Sequence, residues 1–283
     1  MKIVAFLKAA WAVFLSLFLS LSPAGFPQVP HEKDFELVWY DEFDGETLDR
    51  TKWAGHFCNG EDARVCDGGW WHTDMARVED GCLHISTKYY PDGYNGNGKP
   101  GWYSCGIDTN SRYEQTYGYF EVRCILPKGV GLWSAFWMVA RSVGSVGNGG
   151  TDGAEIDVFE SPFHGERYPN RVTSNIHYDG YYEDHQEANV CEPLVLLNDP
   201  YEKFNTYGVE WNEDGYIFYI NGIETGRSDF GGASRVSEYM ILSVEVGGTD
   251  GVPGYSWAGA PLTPTSETSD FIVDYVRAYQ YKD

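Results

Sequence analysis

The sequence predicts a β-sandwich of two stacked antiparallel sheets, and three observations carry that expectation. Strand-like runs recur at about residues 36–40, 82–88, 117–126, 133–140, 154–160, 172–178, 206–211, 215–220, 239–246 and 271–281, divided by Gly, Pro, Asn and Asp. After the first 24 residues no long stretch shows helical periodicity. Asn221-Gly222 directly follows Tyr216-Ile217-Phe218-Tyr219-Ile220, a strong signal for a type I′ hairpin turn. With 283 residues, 42% hydrophobic and 16% aromatic, the chain is long enough to bury a full core. No linker divides it and no internal repeat is evident, so residues 25–283 are expected to form one β-sandwich domain.

At the start of the chain, Lys2 and Lys8, an apolar run from Ala9 to Leu21 and the end Ser22-Pro23-Ala24 read as a secretory signal over residues 1–24. The run is short for a ~20-residue span, which sets this reading above an uncleaved anchor. Cleavage would remove two lysines and no acid, taking the formal charge from −22 to −24. Such a surface repels nucleic acid and acidic membranes, so no partner of either kind is expected and the mature protein should be secreted. Cys58, Cys66, Cys82, Cys105, Cys124 and Cys191 allow up to three disulfides in an exported protein, with Cys58–Cys66 the simplest local pair. Buried thiols are the alternative, because Cys82 and Cys124 fall in strand-like sequence. No pair of Cys-x-x-Cys motifs suggests zinc, and neither Gly-x-Ser-x-Gly nor His-Glu-x-x-His occurs.

The segment that folding needs explain least is Glu155-Ile156-Asp157-Val158-Phe159-Glu160. Its apolar residues favour a strand, where Glu155 and Asp157 share a face and strict alternation would send Glu160 to the other. A β-bulge between Asp157 and Glu160 would return Glu160 to the face of the other two. Three carboxyls crowded together raise one another's pKa, a cost with no structural return. Two carboxyls roughly 5–5.5 Å apart are what a retaining glycosidase uses, one as nucleophile and one as proton donor. An exposed acidic strand face is the alternative on these six residues alone.

Together with Gly131-Leu132-Trp133-Ser134-Ala135-Phe136-Trp137-Met138 and Tyr117-Gly118-Tyr119-Phe120-Glu121-Val122-Arg123, the acidic strand resembles glycoside hydrolase family 16. Its Glu-x-Asp-x-x-Glu spacing matches the bulged branch, which includes laminarinases and agarases. The likeness extends to residues 37–43, 80–83, 207–211 and 273–279, nearly the whole mature chain. It implies a jelly roll with a concave cleft suited to endo-acting cleavage, needing no cofactor for catalysis. It also implies Glu155 as nucleophile, Glu160 as acid/base and Asp157 as the residue that tunes the nucleophile.

Sugar rings stack on aromatic faces, and Trp133 and Trp137, four residues apart, share one sheet face. The resemblance turns that face to the cleft, while core placement is the alternative. His177 aligns with a histidine that lies near the reacting sugar in many members, and Asn175 shares its face. Glu245 and Ser134 depart from the laminarinase pattern; Glu245 either meets sugar hydroxyls at the cleft edge or faces solvent. A structural calcium on the convex side is implied at Glu42, the Gly81 carbonyl and Asp274, with an ion-free salt-bridged cluster as the alternative.

The expected function is a secreted, monomeric, retaining endo-glycosidase acting on β-linked polysaccharide, first β-1,3- or mixed β-1,3/1,4-glucan. Galactan or host glycan is the second substrate class, heavily sulfated forms being disfavoured by charge. A lectin-like module that binds sugar without cutting it is the competing class, against which three intact carboxyls argue.

Overall fold

A computed structural model describes residues 29, 34–56, 64–162, 171–196, 198–254, 256, 258–259 and 269–282. The leader at 1–24 and Cys58, hence the Cys58–Cys66 pairing, lie outside them. The described residues form a jelly-roll β-sandwich, with helix confined to short 3-10 turns. One sheet runs β13 (Gln186–Val195), β12 (Arg171–Tyr178), β11 (Glu155–Pro162), β10 (Leu132–Ala140), β17 (Glu238–Val246), β8 (Gly106–Asp108) and β2 (Ala54–Gly55). The other runs β16 (Ile223–Ser228), β15 (Gly215–Ile220), β14 (Asn205–Asn212), β9 (Gly118–Ile125), β20 (Ser269–Tyr281), β6 (Cys82–Tyr90), β7 (Gly101–Ser104), β4 (Gly69–Trp71) and β3 (Arg64–Cys66). On it, β1 (Phe35–Asp41) pairs with β20 and β5 (Ala76–Glu79) with β6, while β18 (Gly248–Thr249) and β19 (Val252–Pro253) form a separate ribbon.

The core lies between the sheets. Phe136, Ile156, Phe159 and Leu242 from the first meet Phe120, Tyr207, Trp211 and Phe271 from the second, all fully buried. Phe159 links them directly, its ring 4.4 Å from that of Tyr207 and 6.1 Å from that of Phe271. Burying such a side chain contributes about 1.5–3 kcal/mol, enough to fix which face of β11 turns inward. The hairpin between β15 and β16 is as expected, with Asn221 at φ 51° and Gly222 at φ 76°, the pair of positive angles a type I′ turn requires.

Every expected strand is present to within two residues at each end. The main addition is β13, which falls outside every strand-like run of the sequence. Its start, Gln186-Glu187-Ala188-Asn189, lacks β-branched residues, and as an edge strand it needs them less. Cys82 and Cys124 are thiols on β6 and β9, which excludes the three-disulfide arrangement. Burial pushes both thiols up, Cys124 most.

Candidate active site

On β11 the pairing register slips where the sequence required it. Asp157 faces Asn175 and Glu160 faces Thr173, so three steps along β11 match two along β12. On the other side Trp137 faces Asp157 and Phe136 faces Phe159, leaving Val158 without an opposite number on β10. This is the β-bulge, and it puts Glu155, Asp157 and Glu160 on one face. Ile156, Val158 and Phe159 take the core side. The three carboxyls line a cleft of about 790 Å³ on the outer face of this sheet, with Trp133, Trp137, Asn175, His177 and Tyr181 among its other walls.

Each carboxyl has distinct partners. Glu160, 7% exposed, accepts a hydrogen bond from the Asn175 side-chain amide. Asn189 holds that amide in turn, donating to Asn175 Oδ1 at 2.8 Å and to Thr173 Oγ1. Asp157, 3% exposed, lies 3.1 Å from His177 Nε2, while Glu155 Oε1 is 4.0 Å from the same nitrogen. Glu155 Oε2 accepts from the Tyr181 hydroxyl. Burial pushes Glu155 up to about 8, with the Asp157 charge adding to it and His177 and Tyr181 opposing. Burial raises Asp157 as well. Glu160 is raised well above the carboxylate range, by burial first and then by the charges of Asp157 and Glu155. The imidazole and phenol beside Glu155 and Asp157 favour their anions, so Glu160 is the carboxyl best placed to keep a proton. A protonated acid beside an anionic carboxylate is the pair that general-acid and nucleophilic chemistry need.

Trp133 and Trp137 are only partly buried and line the cleft, so core placement is ruled out for both. Trp137 Nε1 donates to Ser243 Oγ at 3.1 Å, which fixes its ring against β17.

The family matched along the chain is the β-porphyranase A–D, GH16 domain, over residues 38–281. The chain belongs to glycoside hydrolase family 16. Among curated members it is 29% identical over 290 residues to glucan endo-1,3-beta-glucosidase A1 of Niallia circulans, matching 90% of this chain and 39% of that protein's length. It is 26% identical over 292 residues to a beta-glucanase of Rhodothermus marinus, covering 95% of this chain and 94% of the other. The laminarinase catalytic domain of Thermotoga maritima superposes with a TM-score of 0.69 at 25% identity, covering 88% of this chain and all of that one, 100%.

Within this family 16 cleft, three features escaped the sequence reading. Tyr181 and His185 come from the segment between β12 and β13, and Asn189 from β13 itself. No local pattern marks them, because what places them is the path of a loop and the register of an unexpected edge strand. Glu245, left open between cleft and solvent, lines the cleft. It pairs across the sheet with Trp133. Burial raises its carboxyl well above the usual range, and a hydrogen bond and charge from Asp67 add to this. Asp67 reaches it from the turn between β3 and β4, which is pressed on the end of β17. Gly68 N–H donates to Val246 O at 2.8 Å, and a Cβ on Gly68 would stand 2.1 Å from Gly247 O, so only glycine fits.

The residues expected to hold calcium are engaged otherwise. Glu42 accepts two hydrogen bonds from Arg277, at 2.8 and 2.9 Å, and Asp274 is paired with Arg123. Two guanidinium groups already neutralise the two carboxylates, so the side chains fit the ion-free cluster and not a calcium site. Gly81, at φ 73°, serves the turn between β5 and β6.

Proposed function

We propose that this chain is a retaining endo-glycosidase acting on β-linked polysaccharide, with β-1,3- or mixed β-1,3/1,4-glucan the first substrate. The observation that carries it is the bulge in β11, which gathers Glu155, Asp157 and Glu160 on the cleft face. Glu155 attacks the anomeric carbon while Glu160 gives its proton to the departing glycosidic oxygen. The resulting glycosyl ester removes the Glu155 charge, one of the two that hold Glu160 up, so the pKa of Glu160 falls. Glu160 then takes a proton from water as that water attacks the ester, which restores both carboxyls. Asp157, beside His177, keeps a charge next to Glu155 that raises the basicity of the Glu155 carboxylate and with it its reactivity toward the anomeric carbon. Asn175 aims Glu160, and Trp133 and Trp137 stack on sugar rings.

A galactan is the second substrate reading, favoured by the match to the β-porphyranase domain and by Glu245 beside Trp133. The reading further includes export through residues 1–24, one catalytic domain over 25–283, a monomer, and no cofactor in catalysis. Calcium at Glu42, Gly81 and Asp274 would have to displace both arginine pairs and is not carried into it. The test is release of oligosaccharides from laminarin, mixed-linkage glucan, agarose and porphyran by the wild type and by Glu155→Gln. Products from one polymer, absent with the variant, support the enzyme and name its substrate. Retention of a polymer by both proteins without cleavage would replace the enzyme with a lectin-like binder.

A further inference from the structure

Residues 179–185, between β12 and β13, bring two side chains to the nucleophile side of the cleft that the mechanism above does not use. The Tyr181 hydroxyl donates to Glu155 Oε2, and the Tyr181 ring lies 6.2 Å from that of His185. His185 Nε2 is 2.9 Å from His177 Nδ1. Their rings are 9° from parallel with centroids 5.1 Å apart. That separation is the N···N distance plus one ring radius at each end, so the imidazoles lie edge to edge in one plane, joined by an N–H···N bond. His177 Nε2 stands 3.1 Å from Asp157 Oδ2 and 4.0 Å from Glu155 Oε1, an ion-pair approach to both acids without an aligned hydrogen bond to Asp157. The bond to His185 therefore engages the far side of the His177 ring, Nδ1, while Nε2 is left turned to the two acids.

We propose that Tyr181 and His185 are positioning residues for the nucleophile. Tyr181 holds Glu155 by Oε2 so that Oε1 is the oxygen turned to the sugar, and His185 fixes the His177 ring with its Nε2 turned to Asp157 and Glu155. One loop thus supplies a hydrogen-bond partner both to Glu155 and to the His177 ring beside it. Because Tyr181 bonds the oxygen that becomes the ester carbonyl, it holds Glu155 in the same place in both half-reactions. The other groups facing His177 are Glu187 from β13, 3.9 Å from Nδ1, and Asp157 from β11. The inference rests on the proposed glycosidase activity for its kinetic part alone.

The test pairs kinetics with imidazole NMR on the full chain, using Tyr181→Phe, His185→Phe and His185→Gln. Tyr181→Phe and His185→Phe should each lower kcat roughly 10-fold or more, the loss of one hydrogen bond to or through a charged group, with KM within about twofold. His185→Gln retains an N–H donor and should restore most of kcat. In ¹⁵N spectra His185→Phe should shift the His177 ring resonances, Nδ1 most, because the bond at that nitrogen is lost. An unchanged kcat in both phenylalanine variants, or His177 ring resonances indifferent to His185→Phe, would overturn the proposal. If the wild type cut no polymer, the activity reading would fail by itself, and the spectra would still decide the histidine pair.

Discussion

The two sheets bury carboxyls in opposite ways. On the sheet away from the cleft, Glu121 is fully buried on β9 and accepts from Tyr119 at 2.9 Å and Tyr275 at 2.7 Å. Glu210 on β14 likewise takes the hydroxyls of Tyr219 and Tyr281. Glu42 and Asp274 take arginines. On the cleft sheet, Glu155, Asp157 and Glu160 sit beside one another, and each charge raises its neighbours. Every carboxyl in the first group lowers the free energy of its own burial through its partners, whereas those in the second raise it for one another. Buried acid is therefore not a mark of a site in this molecule; buried acid facing acid is.

Substitution should separate the two groups, most sharply at the nucleophile. Glu155→Gln should cut product release by at least roughly 10³-fold while raising Tm, because it removes one of three crowded charges. A Tm that fell with activity would put Glu155 with the structural acids. Glu160→Gln should cost about 10²–10⁴-fold on polymer, with less loss on substrates whose leaving group needs no proton. Glu121→Gln should do the reverse, lowering stability in urea by about 1–3 kcal/mol and leaving kcat unchanged in the folded fraction.

The pH dependence follows from the sign of the shift. Glu155 is held at about 8 against an ordinary 4.5, so the folded state binds its proton more tightly than the unfolded state does. That contribution is complete below about 4.5 and is lost as pH rises through about 8. Tm by scanning fluorimetry should fall across this window, and less steeply in Glu155→Gln. Smaller still, Glu245→Gln should raise KM a few-fold at constant kcat if that acid meets a sugar stacked on Trp133. The smallest change is expected away from the cleft: EDTA should leave Tm unmoved, and Arg277→Ala, breaking a partly exposed pair, should cost about 1 kcal/mol or less. A Tm lowered by EDTA and restored by calcium would reverse the reading of that cluster.

How far the sequence discloses this site depends on how local each determinant is. The bulge is legible because parity exposes it, since Glu160 stands one residue out of step with Glu155 and Asp157. Trp133, Trp137, Asn175 and His177 are legible because strand alternation assigns their face once β10 and β12 are placed. Tyr181 and His185 are not, because a loop has no period from which to infer direction. The calcium expectation meets a different obstacle. Its residues are near the positions the resemblance implied, but Arg277 and Arg123, which answer their charge, entered no motif.

The skipped position in β11 also bears on how this strand tolerates insertions and deletions. Elsewhere along β11 the loss of one residue would invert every side chain beyond it, sending core residues to water and acids inward. Between Asp157 and Glu160 the same loss would iron out the bulge and leave both acids facing the cleft, one backbone step closer. Chain length can drift there without exchanging inside for outside, and nowhere else in the strand.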